Sequence, residues 1–112
     1  MYILGINAYH GDSSACLLKD GVVVCAIEEE RILRIKHWAG FPSKAIQFCL
    51  EDAGITIQDV DHITISRNLK ANFYKKIFYT FYNRTNLSAI WARLKNFRKV
   101  NAIKSDLANL FK

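Results

Sequence analysis

A nine-residue stretch near the N-terminus, Asn7-Ala8-Tyr9-His10-Gly11-Asp12-Ser13-Ser14-Ala15, gathers an imidazole, a carboxylate and two hydroxyls between two apolar runs. Such a loop can aim successive backbone N–H groups at one point, with Gly11 relaxing the backbone and short side chains leaving room for an anion. Phosphate suits that cradle, and the hydroxyls of Ser13 and Ser14 add donors. Asp12 can hold a hydrated cation or a polarised water. His10 can donate to a developing charge or move a proton near neutral pH. Loops rich in Gly, Asp and Ser also serve as plain turns, so these residues alone leave both readings open.

A second polar segment begins at Glu28-Glu29-Glu30-Arg31 and runs through Arg34-Ile35-Lys36-His37-Trp38-Ala39-Gly40-Phe41-Pro42. Its opening charges read as a solvated strand exit in which Arg31 and Arg34 pair locally. Lys36 and His37, beside aromatic Trp38 and Phe41 and flexible Gly40, suit a loop that folds over a ligand. His62, next to Asp61 at a strand start, reads as structural. No two His or Cys stand at metal-ligand spacing, so no metal site is expected within these residues. Cys16, Cys25 and Cys49 are odd in number and set in apolar sequence, which points to buried reduced thiols.

The elements that hold these residues follow from periodicity. Tyr2 to Asn7 is apolar at nearly every position, as in a strand covered on both faces, and Ser14 to Lys19 forms the second strand. Asp20-Gly21 is a pair favoured in two-residue hairpin turns, and Val22 to Ile27 has strong β propensity. Ser43 can cap a helix ending near Ala53, with Ala45, Ile46, Cys49, Leu50 and Ala53 as its buried stripe and Gly54 at its stop. Thr56 to Val60 reads as a turn capped by Thr56, and Asp61 to Ser66 as a fourth strand carrying Ile63 and Ile65. The order β-β-β-α-β, with the last strand parallel to the first, is that of a ribonuclease-H-like α/β lobe. Beyond Arg67 three amphipathic helical stripes follow, on Phe73 to Phe81, Leu87 to Phe97 and Ile103 to Phe111, with a break at Asn83 to Asn86. The division expected is a half-lobe over 1–66 and a basic helical segment of the same domain over 67–112.

Charge changes sharply along the chain. Residues 1–62 carry five Lys/Arg and nine Asp/Glu, a net of −4, whereas residues 63–112 carry eleven Lys/Arg and only Asp106 as an acid, a net of +10. A basic segment interleaved with aromatics is compatible with a small binding module for nucleic acid or an acidic partner. The regular apolar stripes favour helices packed on a core instead, and nucleic acid is not expected. At 112 residues the chain is one domain or part of one. No apolar run is long enough to span a bilayer and no secretory signal is evident, so the expectation is a cytoplasmic protein.

The run Ile3 to Ala15, then Glu28 to Arg31 with Arg34-Ile35-Lys36-His37, then Gly40-Phe41-Pro42, resembles the start of the O-carbamoyltransferases, a family that includes nodulation-factor and antibiotic-tailoring enzymes. The resemblance implies an N-terminal lobe of the sugar-kinase, actin and heat-shock ATPase superfamily. It also implies transfer of a carbamoyl group from carbamoyl-adenylate, made from carbamoyl phosphate and ATP in a separate domain, to a substrate hydroxyl. By position it gives His10 and Asp12 to the transfer-site loop and Lys36 to the carbamoyl intermediate; Gly11, Ser13 and Ser14 are the cofactor-binding candidates that the anion-cradle reading of the loop supplies. The iron or other divalent metal of such enzymes would rest on a His-x-x-x-His motif and further ligands beyond this chain. The expectation is therefore an incomplete domain, a fragment inactive alone, or a structural or regulatory lobe that docks on a separately encoded remainder.

Overall fold

The computed structural model describes residues 1–66, 75 and 102–111. Four strands, β1 (Tyr2–Asn7), β2 (Ser14–Lys19), β3 (Val22–Glu28) and β4 (His62–Ile65), form one mixed sheet in the order β3-β2-β1-β4. β1 to β3 make an antiparallel meander, and β4 lies parallel to β1 with Ile63 beside Leu4 and Ile65 beside Ile6. The Asp20-Gly21 turn has positive φ at both residues, 51° and 84°, as the hairpin reading requires. A register shift opposite Leu17 and Leu18 leaves Val24 as the extra residue of a bulge in β3.

Two helices follow β3. The first, α1 (Glu29–Leu33), falls where the sequence reading placed only a polar strand exit. Two acids in its first turn favour a helix N-terminus electrostatically, and Arg34 ends it in the left-handed region at φ 60°. The second, α2 (Ser43–Asp52), buries Ala45, Ile46, Cys49 and Leu50, and Gly54 at φ 64° follows its end. Ser43 is not its cap: it is the first helical residue, and no side chain of the N-cap residue caps the helix. Its N-terminal amides bond instead to Glu29, a residue that local spacing could not connect to them. A short 3₁₀ turn, Ile57–Asp59, lies where Thr56 and Asp59 were expected to close a turn; the Asp59 carboxylate accepts from both the backbone N–H and the hydroxyl of Thr56 at 2.8 Å.

One core unites these elements. Leu4, Ile6, Ala8, Ala15, Leu17 and Cys25 from the sheet side meet the buried face of α2 and Ile103, the first residue of α3 (Ile103–Leu110). Burying a side chain of Leu or Ile size contributes about 1.5–3 kcal/mol, so this cluster fixes where the sheet meets the helices. β1 is deeply buried on one face only, since Ile3 and Gly5 alternate with Leu4 and Ile6 as half-buried positions. All of β4 is exposed, including Ile63 and Ile65 at 44% and 43%. Cys25 and Cys49 are buried, Cys16 half-buried, and all three are free thiols; burial first, then the neighbouring Cys25, pushes the Cys49 thiol up to about 12. The two stripes between Phe73 and Phe97 lie outside the described residues, Lys75 excepted. Among the described residues no helix is long and apolar enough to cross a membrane.

Candidate functional site

The two polar segments singled out in the sequence lie against each other. The amide of Tyr9 donates to the Gly40 carbonyl at 3.1 Å, and the amide of Ser13 to the Trp38 carbonyl at 3.0 Å. The Ser13 hydroxyl donates to the carbonyls of Gly40 at 2.8 Å and His10 at 3.1 Å, and the Ser13 carbonyl accepts from the Glu29 amide at 2.9 Å. Ser13 is 1% exposed, so both its donors serve to fasten the β1–β2 loop to the segment after α1. Ser14 begins β2, paired with Asn7 and Glu28. Gly11 is exposed; the left-handed positions of the loop are Tyr9 at φ 56° and Asp12 at φ 61°. Gly40 is needed for a different reason: a Cβ there would sit 2.8 Å from three atoms of the Trp38 indole.

This clasp sets a carboxylate against an imidazole. Asp12 Oδ1 lies 3.0 Å from His37 Nδ1, and the backbone N–H of His37 donates to Glu30 Oε2 at 3.0 Å. The hydrogen bond and charge of Asp12 raise the His37 imidazole above its ordinary value, with Glu30 adding a smaller push in the same direction. The pair is open to solvent, His37 at 82% and Asp12 at 53% side-chain exposure, so its attraction is screened. The Asn7 side chain donates to the Asp12 carbonyl at 3.1 Å and holds that end of the loop. His10 is exposed, its Nδ1 3.2 Å from the Gly11 carbonyl, and Lys36 is exposed one residue before His37. Of the residues expected at the site, the fold thus joins Asp12 to the His37 segment and leaves His10 and Lys36 on the surface of the same two loops.

Two supports come from residues whose roles the sequence concealed. Glu29, 1% exposed, accepts from the amides of Lys44 at 3.1 Å and Ala45 at 2.6 Å. It thereby ties the start of α1 to the start of α2 and fixes both ends of the 34–42 segment. Asp106 of α3 accepts from the Tyr9 hydroxyl at 2.5 Å, and the Tyr9 ring lies 6.5 Å from that of Phe41. Burial, then the bond to Asp106 and its negative charge, pushes the Tyr9 phenol up to about 12.

The sequence blocks that build this clasp lie within a stretch that matches a known family. Residues 2–102 match the model of the family described as Carbamoyltransferase N-terminus. The chain belongs to that family. Among relatives of this carbamoyltransferase N-terminus, Uncharacterized protein sll1178 from Synechocystis sp. is 49% identical over 80 residues, covering 71% of this chain and 12% of the relative. Nodulation protein NolNO from Sinorhizobium fredii is 47% identical over 57 residues, 51% of this chain and 8% of that protein. An uncharacterized 19.2 kDa protein from the syrM 5′ region of Rhizobium etli is 42% identical over 57 residues, 51% of this chain and 33% of its own length. The chain therefore spans from about a tenth to a third of the relatives it matches.

Proposed function

We propose that these residues form the N-terminal part of a carbamoyl-transfer site, in which the β1–β2 loop and the segment after α1 receive a carbamoyl donor and an acceptor hydroxyl. The observation that supports this reading most directly is the clasp, which joins the two blocks carrying the family resemblance. Acyl transfer to an alcohol needs a group to take the hydroxyl proton and positive charge facing the developing oxyanion. His10, exposed at the loop tip, takes the proton as the acceptor oxygen bonds to the carbamoyl carbon. The Lys36 ammonium faces the charge that develops as the bond from that carbon to the departing phosphate oxygen breaks. Asp12, held by His37, positions a water or cation beside them.

The sheet order, with an antiparallel meander and β4 parallel beside β1, supports a ribonuclease-H-like lobe of the sugar-kinase, actin and heat-shock ATPase superfamily. Carbamoyl phosphate and ATP, as the source of carbamoyl-adenylate, and the iron of the transfer centre would then bind to parts of a longer polypeptide. Alone, these residues would not complete the reaction. The test is carbamoyl transfer by the full-length polypeptide carrying His10→Asn or Lys36→Ala, with folding checked by circular dichroism. Loss of turnover in both folded variants is expected, by about 100-fold or more for a general acid–base group; undiminished turnover in both would sink the assignment.

A further inference from the structure

Chain spacing predicts no metal site, yet the fold brings three donors of different chemistry to one point. Asp12 comes from the β1–β2 loop, Glu30 from the first turn of α1 and His37 from the segment that follows it. One ligand atom of each lies within 4.8 Å of the other two. We infer that Asp12, Glu30 and His37 form a divalent-cation site, binding through one oxygen of each carboxylate and Nδ1 of the imidazole, with water completing the shell.

Three features of the cluster carry this assignment. The first is proximity: one donor atom of each residue lies within 4.8 Å of the other two, so that modest side-chain rotation brings all three to one ion, which takes the place of the proton in the Asp12–His37 hydrogen bond. The second is charge, since two carboxylates and a neutral imidazole balance a doubly positive ion. The third is convergence, because each donor is held from a different direction. Asp12 is set by the Asn7 bond to its carbonyl, Glu30 by the backbone N–H of His37, and His37 by the clasp that fixes Trp38 and Gly40. A set of one nitrogen and two oxygens suits zinc, cobalt, iron or manganese better than calcium or magnesium, which favour oxygen alone.

All three donors belong to this chain, and none is part of a His-x-x-x-His motif, which this sequence does not contain. The site rests on donor geometry rather than on the transfer reading, and the experiment reads metal binding without reading transfer. The protein, stripped with chelator, is titrated with Co²⁺ by visible absorption and calorimetry. A thiolate charge-transfer band would reveal capture by cysteine instead. One Co²⁺ per chain with a nitrogen–oxygen spectrum is expected, weakened by about 100-fold or more in folded Asp12→Asn and His37→Gln and unchanged in His62→Asn. Absence of binding by the unmodified protein, a thiolate spectrum, or binding unaltered in both ligand variants overturns the assignment.

Discussion

Glu29 offers the sharpest test of how the site is held. It is 1% exposed, and its two carboxylate oxygens each take one backbone amide at the start of α2, from Lys44 at 3.1 Å and Ala45 at 2.6 Å. Hydrogen bonds to a charged group contribute about 1.5–3 kcal/mol each, and a carboxylate at a helix N-terminus adds about 0.3–1 kcal/mol. Taking that carboxylate out of water costs several kcal/mol and offsets part of this gain. Glu29→Ala removes the acceptor, leaves two amides unbonded in a water-poor place and opens a void. The expected loss is about 3 kcal/mol, above the range of about 0.5–2 kcal/mol for an ordinary N-cap deletion. With about 1.5 kcal/mol per molar urea for a domain of this size, the unfolding midpoint falls by about 2 M without a change in slope. Thermal unfolding falls by about 12 °C, taking about 4 °C per kcal/mol. The control is its neighbour: Glu28→Gln breaks only an exposed 3.7 Å contact with Arg31 and should cost no more than about 0.5 kcal/mol. The reasoning fails if Glu29→Ala costs under about 1 kcal/mol, or if the two variants lose stability equally.

Two further outcomes follow from the clasp. Gly40→Ala sets a methyl 2.8 Å from the Trp38 indole, so the ring must move, at about 1–3 kcal/mol; in a Trp91→Phe background the shifted emission of Trp38 reports the displacement. The Tyr9 phenol, pushed up to about 12 in the folded protein, makes stability fall at alkaline pH. Because the folded value lies above the unfolded value of about 10, the contribution is whole below pH ~10 and fades as pH rises toward ~12. Tyr9→Phe should make that alkaline decline shallower, leaving the share of the Cys49 thiol, which is also pushed up to about 12, and Asp106→Asn should bring the Tyr9 phenolate absorbance step to lower pH, each read by absorbance and denaturant titration across this range.

The strands were legible because their physics is local. Alternating or continuous apolar residues and the Asp20-Gly21 turn define β1, β2 and β3 within short windows, and the stripe Ala45, Ile46, Cys49, Leu50 defines α2. The parallel pairing of β4 with β1 was legible too; what escaped were the side-chain bonds made to distant partners. Ser43 has the side chain of a cap, but Glu29, fourteen residues earlier, reaches the same amides from another element. The acidic run beginning at Glu28 looks uniformly solvated in sequence, yet it holds one exposed ion-paired carboxylate, one buried one and one that bonds His37. The loop residues Asp12 and Ser13 were visible as polar chemistry. That Ser13 is spent on backbone carbonyls, and that Asp12 meets His37, depends on how two loops pack rather than on residue type.

The spans of these bonds also set when each pair of partners becomes available during synthesis. The Ser13–Gly40 bond spans 27 residues and the Asp12–His37 pair 25, whereas Tyr2 to Asp61 spans 59 and Tyr9 to Asp106 spans 97. Closing the longest of these loops rather than the shortest costs about 1 kcal/mol more chain entropy. During vectorial synthesis the clasp has all its partners once Gly40 has emerged, and its helix anchor once Ala45 has. Asp106 is the last of these partners to be synthesised, so its bond to Tyr9 ties the loop to the most distant element in the sequence.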